Sequence, residues 1–271
     1  MPHHTDDWNV RAASNQAPSA PLSNPTLDVI LGHRSIRSFT DEPVSEDAIT
    51  TILEAARQAA TWAFYQHRTI IRVTDPAVRA EIGKSAVQPY VGDTKGELFI
   101  LVVDLYRNAQ IRREAGVDTS WLQTTAAFLT GVEDTLLAGQ NLVTAAESLG
   151  LGTVWLGSIG REVRRVIQAL QLPEPTYPLV GVLVGHPAQE PQYKPRLPLA
   201  VMTGENAYPR VNNMTEALAE YDEVVHTYYD LRDANNRVDS FTDQMARAMG
   251  KGGADLTDVL AVLHEQGLAL R

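Results

Sequence analysis

The 271-residue chain has no cysteine. That absence excludes disulfides, thiolate metal sites, iron–sulfur clusters and a cysteine nucleophile. It is compatible with a reducing compartment, and a cytoplasmic location is expected. Long hydrophobic runs are missing too. Stretches such as Leu98 to Val103 are far too short to cross a bilayer, so no membrane partner is expected. Residues 1–24 are rich in Ala, Pro, Ser and Asn and lack the apolar segment of a signal peptide. Positive charge is scarce, with 23 Lys and Arg against 33 Asp and Glu and a net charge of −10. General nucleic-acid binding relies on a basic face and is not expected here. What remains is 44% hydrophobic and 21% charged, ordinary for a globular chain with a sizeable core.

Against that acidic background, one basic stretch stands out: His33-Arg34-Ser35-Ile36-Arg37-Ser38-Phe39. It follows Thr26 to Gly32, which reads as a short helix capped by Thr26 and stopped by Gly32. Within five positions it offers two guanidinium groups, an imidazole and a hydroxyl, donors suited to phosphate oxygens. A solvated basic turn is the competing reading. A second basic element, Tyr193-Lys194-Pro195-Arg196-Leu197-Pro198, lies far downstream. Pro195 fixes its own φ and biases Lys194 towards an extended conformation, which stiffens the segment. The two elements would form an anion site if the fold brings them together.

Between them helices and strands interleave. Ser45 reads as the cap of a helix carrying Ile49, Ile52, Leu53 and Ala56, and residues 61–67 as a loop. Strands are expected at Thr69–Val73, Glu97–Leu105, Thr153–Leu156 and Pro178–Gly185, with a short helix over Pro76–Ile82. Residues 83–96, through Gln88, Gly92 and Gly96, read as a polar loop. A long helical pattern spans Thr119–Leu149, with Leu122, Ala126, Leu129, Leu136, Val143 and Ala146 among its apolar positions, and Arg161–Leu170 is another helix. The pattern favours one layered α/β or α+β domain. Residues 206–271 hold only helical patterns: Met214 to Tyr228, Phe241 to Met249 and Leu256 to Leu263.

Familiar catalytic motifs fail. Gly150-x-Gly152 follows a helix rather than a strand and has Trp155 where a third glycine belongs, so the dinucleotide fingerprint is absent. Gly157-Ser158-Ile159-Gly160 is not a hydrolase elbow, and no histidine spacing suits a metal. Acid pairs such as Glu133-Asp134 read as solvated faces. With no acid–base pair or activated nucleophile in view, reactivity borrowed from a bound cofactor is expected, with no side chain as the catalyst.

Gly32 to Pro43 resembles the opening of the oxygen-insensitive, A-group NADPH nitroreductases and their flavin reductase relatives. The likeness continues in order through Ile70–Asp75, Ala145–Gly152, Lys194–Pro198, Glu205–Tyr208 and Asn235–Arg237, so it covers about residues 26–271. It implies an α+β nitroreductase-like fold, a mixed β-sheet flanked by helices. It also implies an intertwined homodimer with FMN at the subunit interface and NADPH as co-substrate. Residues 1–25 would be a mobile leader, 26–205 the FMN-binding core, and 206–271 a helical C-terminal extension wrapping the core or the partner subunit.

The resemblance assigns His33, Arg34, Ser35, Arg37, Lys194 and Arg196 to the phosphate and ribityl chain of FMN. Gln88, Gly157 and Ser158 fall where relatives touch the flavin ring, and Thr61 and Trp62 where relatives have a serine-rich loop beside it. Trp155 on the third strand joins the flavin set, although an aromatic there packs more readily than it reacts. Arg232 matches an arginine that reads the 2′-phosphate of NADPH, with Arg237 nearby. Gly160 stands where relatives often carry an arginine, and Arg161 follows it. The implied activity is two-electron, ping-pong reduction of nitroaromatics and quinones. The alternatives are an NADPH-dependent FMN reductase and a flavin-binding protein without turnover.

Overall fold

The computed structural model describes residues 11, 16, 20–227, 240–248 and 258–271. Backbone contacts divide the chain into two compact units: Met1–Arg34 with Glu190–Ala254, and Ser35–Gln189 with Asp255–Arg271.

The larger unit is built on a four-stranded sheet of β1 (Arg68–Val73), β2 (Glu97–Asp104), β3 (Gly152–Leu156) and β4 (Thr176–Gly185), in the order β1-β2-β4-β3. Each of the three pairings is antiparallel. The parallel element that makes the sheet mixed is a single residue pair at its edge, Ser35 with Thr153.

β2 is buried almost end to end because both faces of the sheet are covered. Leu98, Ile100 and Val102 pack on one side with Ile82, Ile159 and Val166. Phe99 and Leu101 pack on the other with Ile49, Ile52, Ala138 and Leu142. The first side is covered by helices Pro76–Ala86 and Val163–Ala169, the second by Glu46–Arg57 and the long helix Thr125–Ser148. Arg72 ties the layers electrostatically, bonding Glu97 at 2.8 Å and Glu46 at 2.9 Å. Val262, Leu263 and Leu268, in and after helix Val259–Glu265, join a third cluster with Val103, Leu105 and Leu122.

The long helix departs from its sequence reading in a telling way. Over its first four turns the sheet-facing side is small or polar, comprising Ala127, Thr130, Gly131, Asp134, Thr135, Ala138 and Gly139, before Leu142 and Val143 continue it as apolar core. A Cβ on Gly139 would meet Leu101 Cδ1 at 2.4 Å and the Trp155 ring at 2.5 Å, so only glycine permits this approach. Three leucines instead point outward, Leu129 at 52%, Leu136 at 44% and Leu137 at 47% exposure, while Leu142 is fully buried. Leu129 and Leu136, read from the sequence among the apolar positions of the helical pattern, are therefore not core, whereas Val143 and Ala146 of the same reading are.

In the smaller unit, helix Pro25–Leu31 is capped by Asn24, whose Oδ1 accepts the Leu27 N–H at 3.0 Å. Thr26 is not the cap, because Pro25 already occupies the first turn. The pattern read as one helix from Met214 breaks into Met214–Ala217 and Ala219–Thr227 at Leu218. Leu218, Tyr221 and Val225 bury there with Leu197, Val201 and Phe241.

Candidate functional site

Two regions hold the expected site residues. In the smaller unit, Arg34 reaches across 156 positions of sequence to the second basic element. Its Nη1 donates to Glu190 Oε1 and to the Pro191 carbonyl, each at 3.2 Å. Its guanidinium lies 4.8 Å from the centre of the Tyr193 ring, a cation–π contact. His33 and Arg34 thus share a unit with Lys194 and Arg196. Arg196 Nη1 donates to the Lys194 and Pro195 carbonyls at 2.9 and 3.2 Å, which curls the Lys194–Arg196 turn on itself. Arg196 also bears on Tyr221: burial pushes that phenol up, and the cation acts in the opposite direction.

In the larger unit, the strap Ser35–Thr40 is sewn to the sheet edge. Ile36 N donates to Thr153 O at 2.8 Å and Thr40 N to His186 O at 2.9 Å. Ile36 and Phe39 point inward as core. Arg37 stays half-buried, with one long bond of 3.4 Å from Nη1 to the Ser35 carbonyl. Most of its five donors are unused among the described contacts, as an anion-binding arginine requires.

β3 delivers the Gly157–Glu162 turn. A Cβ on Gly157 would meet nothing within 4 Å, and the neighbouring Ser158 Oγ is buried without a hydrogen-bond partner among the described residues. An orphaned hydroxyl beside open backbone suits a polar ligand atom. The same open space surrounds Gly160. Trp155, assigned to the flavin set by the resemblance, packs half-buried over Gly139.

Ser85 fixes this turn to the Gln88 segment. Its buried hydroxyl donates to Ile159 O at 2.8 Å and accepts from Glu162 N at 3.3 Å. Helix Pro76–Ala86 outruns its expected end at Ile82 and closes at Val87, which takes a left-handed φ of 53°. Gln88 then caps the four-residue helix Pro89–Gly92 and accepts a hydrogen bond from the Tyr90 hydroxyl. Arg79 clamps the loop beyond, donating to the carbonyls of Val91, Lys95 and Gly96 at 2.7–3.1 Å. Neither Arg79 nor Ser85 belongs to a motif, so no local pattern marks them in advance.

Thr61 and Trp62 lie in the 61–67 loop, held by a residue read as solvated. Asp134 is 0% exposed. It accepts from Thr61 Oγ1 at 2.6 Å, Trp62 N at 2.8 Å and His67 N at 2.9 Å. The solvated reading holds only for Glu133. Helical phase was the available signal: Asp134 falls three and four positions from Gly131 and Ala138, on the face turned to the sheet. Beside the loop is a cavity of about 530 Å³ lined in part by Tyr65, His67 and Trp121. Arg232 and Arg237 lie outside the described residues.

Comparison with known proteins matches this architecture along almost its whole length. Residues 30–186 match the family model described as "Nitroreductase family", and residues 194–271 match "Nitroreductase family, C-terminal domain". The chain is 39% identical over 253 residues to the oxygen-insensitive NADPH nitroreductase of Salmonella typhimurium, covering 92% of this chain and all of that protein. It is 38% identical over 229 residues to an FMN reductase (NADPH) of Bacillus subtilis, covering 83% and 92% of the two chains. Among solved structures, the NfrA1 nitroreductase of B. subtilis superposes with a TM-score of 0.83 at 36% identity, over 91% of this chain and all of that one. With both family models matched in order and relatives aligned nearly end to end, the chain belongs to the nitroreductase family.

Proposed function

We propose that the protein is an FMN-dependent NADPH oxidoreductase that reduces nitroaromatics and quinones. Its relatives carry the names NADPH nitroreductase and FMN reductase (NADPH). The observation that carries the reading is the meeting of Arg34 with the Glu190–Tyr193 segment that leads into Lys194 and Arg196. Two basic elements remote in sequence share one neighbourhood, as a single mononucleotide phosphate requires.

The chain's own residues fit such a cofactor. Within the smaller unit, Arg34, Lys194 and Arg196 supply cationic donors and His33 an imidazole. Within the larger unit, taken by itself, Ser35 supplies a neutral hydroxyl and Arg37 a guanidinium at the sheet edge. Gly157 offers open backbone, Ser158 an unpartnered hydroxyl and Gln88 an amide on a clamped segment, all suited to the ring. When bound, FMN supplies the hydride chemistry between NADPH and the acceptor; the protein's task is to bind, orient and stabilise negative charge.

A homodimer belongs to the same proposal. The exposed leucines of the Thr125–Ser148 helix form the kind of apolar stripe that a second copy covers. Arg232 and Arg237 are proposed to read the 2′-phosphate of NADPH, and a cytoplasmic location matches the supply of that co-substrate. Among the described residues, no helix is long and apolar enough to cross a membrane. The FMN reductase reading stays open beside nitroreductase because the B. subtilis relative of that name is nearly as similar.

Arg232→Ala tests the co-substrate assignment. The KM for NADPH is expected to rise more than that for NADH; an equal rise removes Arg232 from 2′-phosphate recognition. Retention of FMN through turnover separates nitroreductase from flavin reductase, which would release the reduced flavin.

A further inference from the structure

We infer that Asp134 is a positioning residue that holds the 61–67 loop in one conformation and thereby sets which electron acceptors the enzyme takes; this rests on the flavin reading above. The loop's backbone is strained. Ala63, Phe64 and Gln66 have φ of 46°, 63° and 54°, left-handed values that side chains with a Cβ disfavour, and no glycine relieves them. Such a loop persists only when its surroundings over-determine it.

Asp134 supplies that determination at Thr61, Trp62 and His67, while Arg107 and Asn108 hold the Gln66 and Tyr65 carbonyls at 3.1 Å each. One carboxylate, fully buried on the sheet-facing side of the long helix, gathers the Thr61 hydroxyl and the N–H groups of Trp62 and His67. Thr61 relays the anchor, because its Oγ1 also accepts the Gln66 N–H at 2.8 Å. Both ends of the loop are thus bound to one point, and the turn between them must bulge outward. The bulge carries Trp62 and Phe64 into the open, at 47% and 80% exposure. Trp62 stacks on Trp121 at 6.3 Å and packs against Tyr65 at 5.5 Å, forming an aromatic wall. Arg68, with Nη1 4.0 Å from Asp134, helps to balance the buried charge. Asp134 touches no ligand in this account and acts only through Thr61 and the loop backbone.

Asparagine at 134 would replace one oxygen by a donor, leaving at least one loop N–H or the Thr61 hydroxyl facing another donor. In FMN-loaded Asp134→Asn, hydrogen exchange at the Trp62, Gln66 and His67 amides is expected to speed up by about tenfold or more, while amides in β1 stay within about twofold. The KM for nitrobenzene or 1,4-benzoquinone is expected to rise by about tenfold, with the KM for NADPH moving by no more than about twofold. Unchanged exchange at the three amides, or an equal rise in both KM values, overturns the inference. Should Asp134→Asn not fold, Thr61 decides: Thr61→Ser is expected to keep the protection of Gln66 and Thr61→Val to lose it, and equal protection in the two overturns the inference. A protein that takes up no FMN would sink the flavin reading, whereas the exchange data report on the anchor alone.

Discussion

Arg34 and Arg37 look equivalent in the sequence, yet their surroundings give them different work. Arg34 is engaged by Glu190, the Pro191 carbonyl and the Tyr193 ring, which fixes its direction. Arg37 makes one 3.4 Å bond to the Ser35 carbonyl among the described contacts and is proposed to turn its other donors to the phosphate. Arg37→Ala is expected to weaken FMN binding by about 1.5–3 kcal/mol, the worth of a charge-assisted phosphate contact. Flavin fluorescence titration measures this, and an unchanged Kd removes Arg37 from the phosphate site. A second residue-scale test concerns His67, which is 1% exposed and bonded through Nδ1 to Thr130 Oγ1 at 3.2 Å. Burial holds its pKa below the ordinary imidazole value, with Asp134 and Asp104 opposing and Arg107 assisting. The unfolded chain therefore takes up this proton near pH 6.5, before the folded one does. Stability is complete above that pH and falls as the pH drops through the window down to the folded pKa. Urea midpoints between about pH 7.5 and 5.5 should fall more steeply for the wild type than for His67→Gln, and parallel profiles would contradict this. The two clusters of basic residues around Arg34 and Arg196 were legible from local composition. Asp134 was not, because an acid beside an acid looks solvated until helical phase turns one inward.

At the scale of elements, the strands were legible because covered strands are unbroken apolar runs, and β2 and β4 are such runs. Helix Tyr106–Glu114 went unread because only Ala109 is buried in it and no apolar periodicity marks it. The end of Pro76–Ala86 was misjudged because Val87, a β-branched residue, occupies the left-handed position where glycine usually signals a stop. That strain is testable. Val87→Gly is expected to raise stability by about 1 kcal/mol, since glycine adopts this φ freely and Val87 is mostly exposed. Thermal melts read the change, and a lowered Tm would show that the Val87 side chain contributes more than its backbone costs. Gly139→Ala is expected to act in the opposite sense. Its new methyl group would press on the ends of the Leu101 and Trp155 side chains, which must shift to admit it, at a cost of about 1–3 kcal/mol.

For the whole molecule, the long helix joins the separate inferences. Its inner face carries Asp134 and the glycines that admit Trp155 and Val103, while its outer face carries the exposed leucines. Leu137→Glu is expected to shift the proposed homodimer towards monomer in sedimentation velocity and to reduce FMN content in step. A dimer unaffected by that change would place the subunit interface elsewhere. The layered architecture followed from alternating helical and strand patterns, but the way the two basic elements meet depends on tertiary contacts that no local pattern encodes. The most direct test of the account is an anaerobic absorbance titration of the purified protein with NADPH. A yellow protein is expected, whose flavin band bleaches at about one equivalent of NADPH per FMN and returns when a quinone or nitroaromatic is added. A protein that binds no FMN, or a bound flavin that NADPH leaves oxidised, would contradict it.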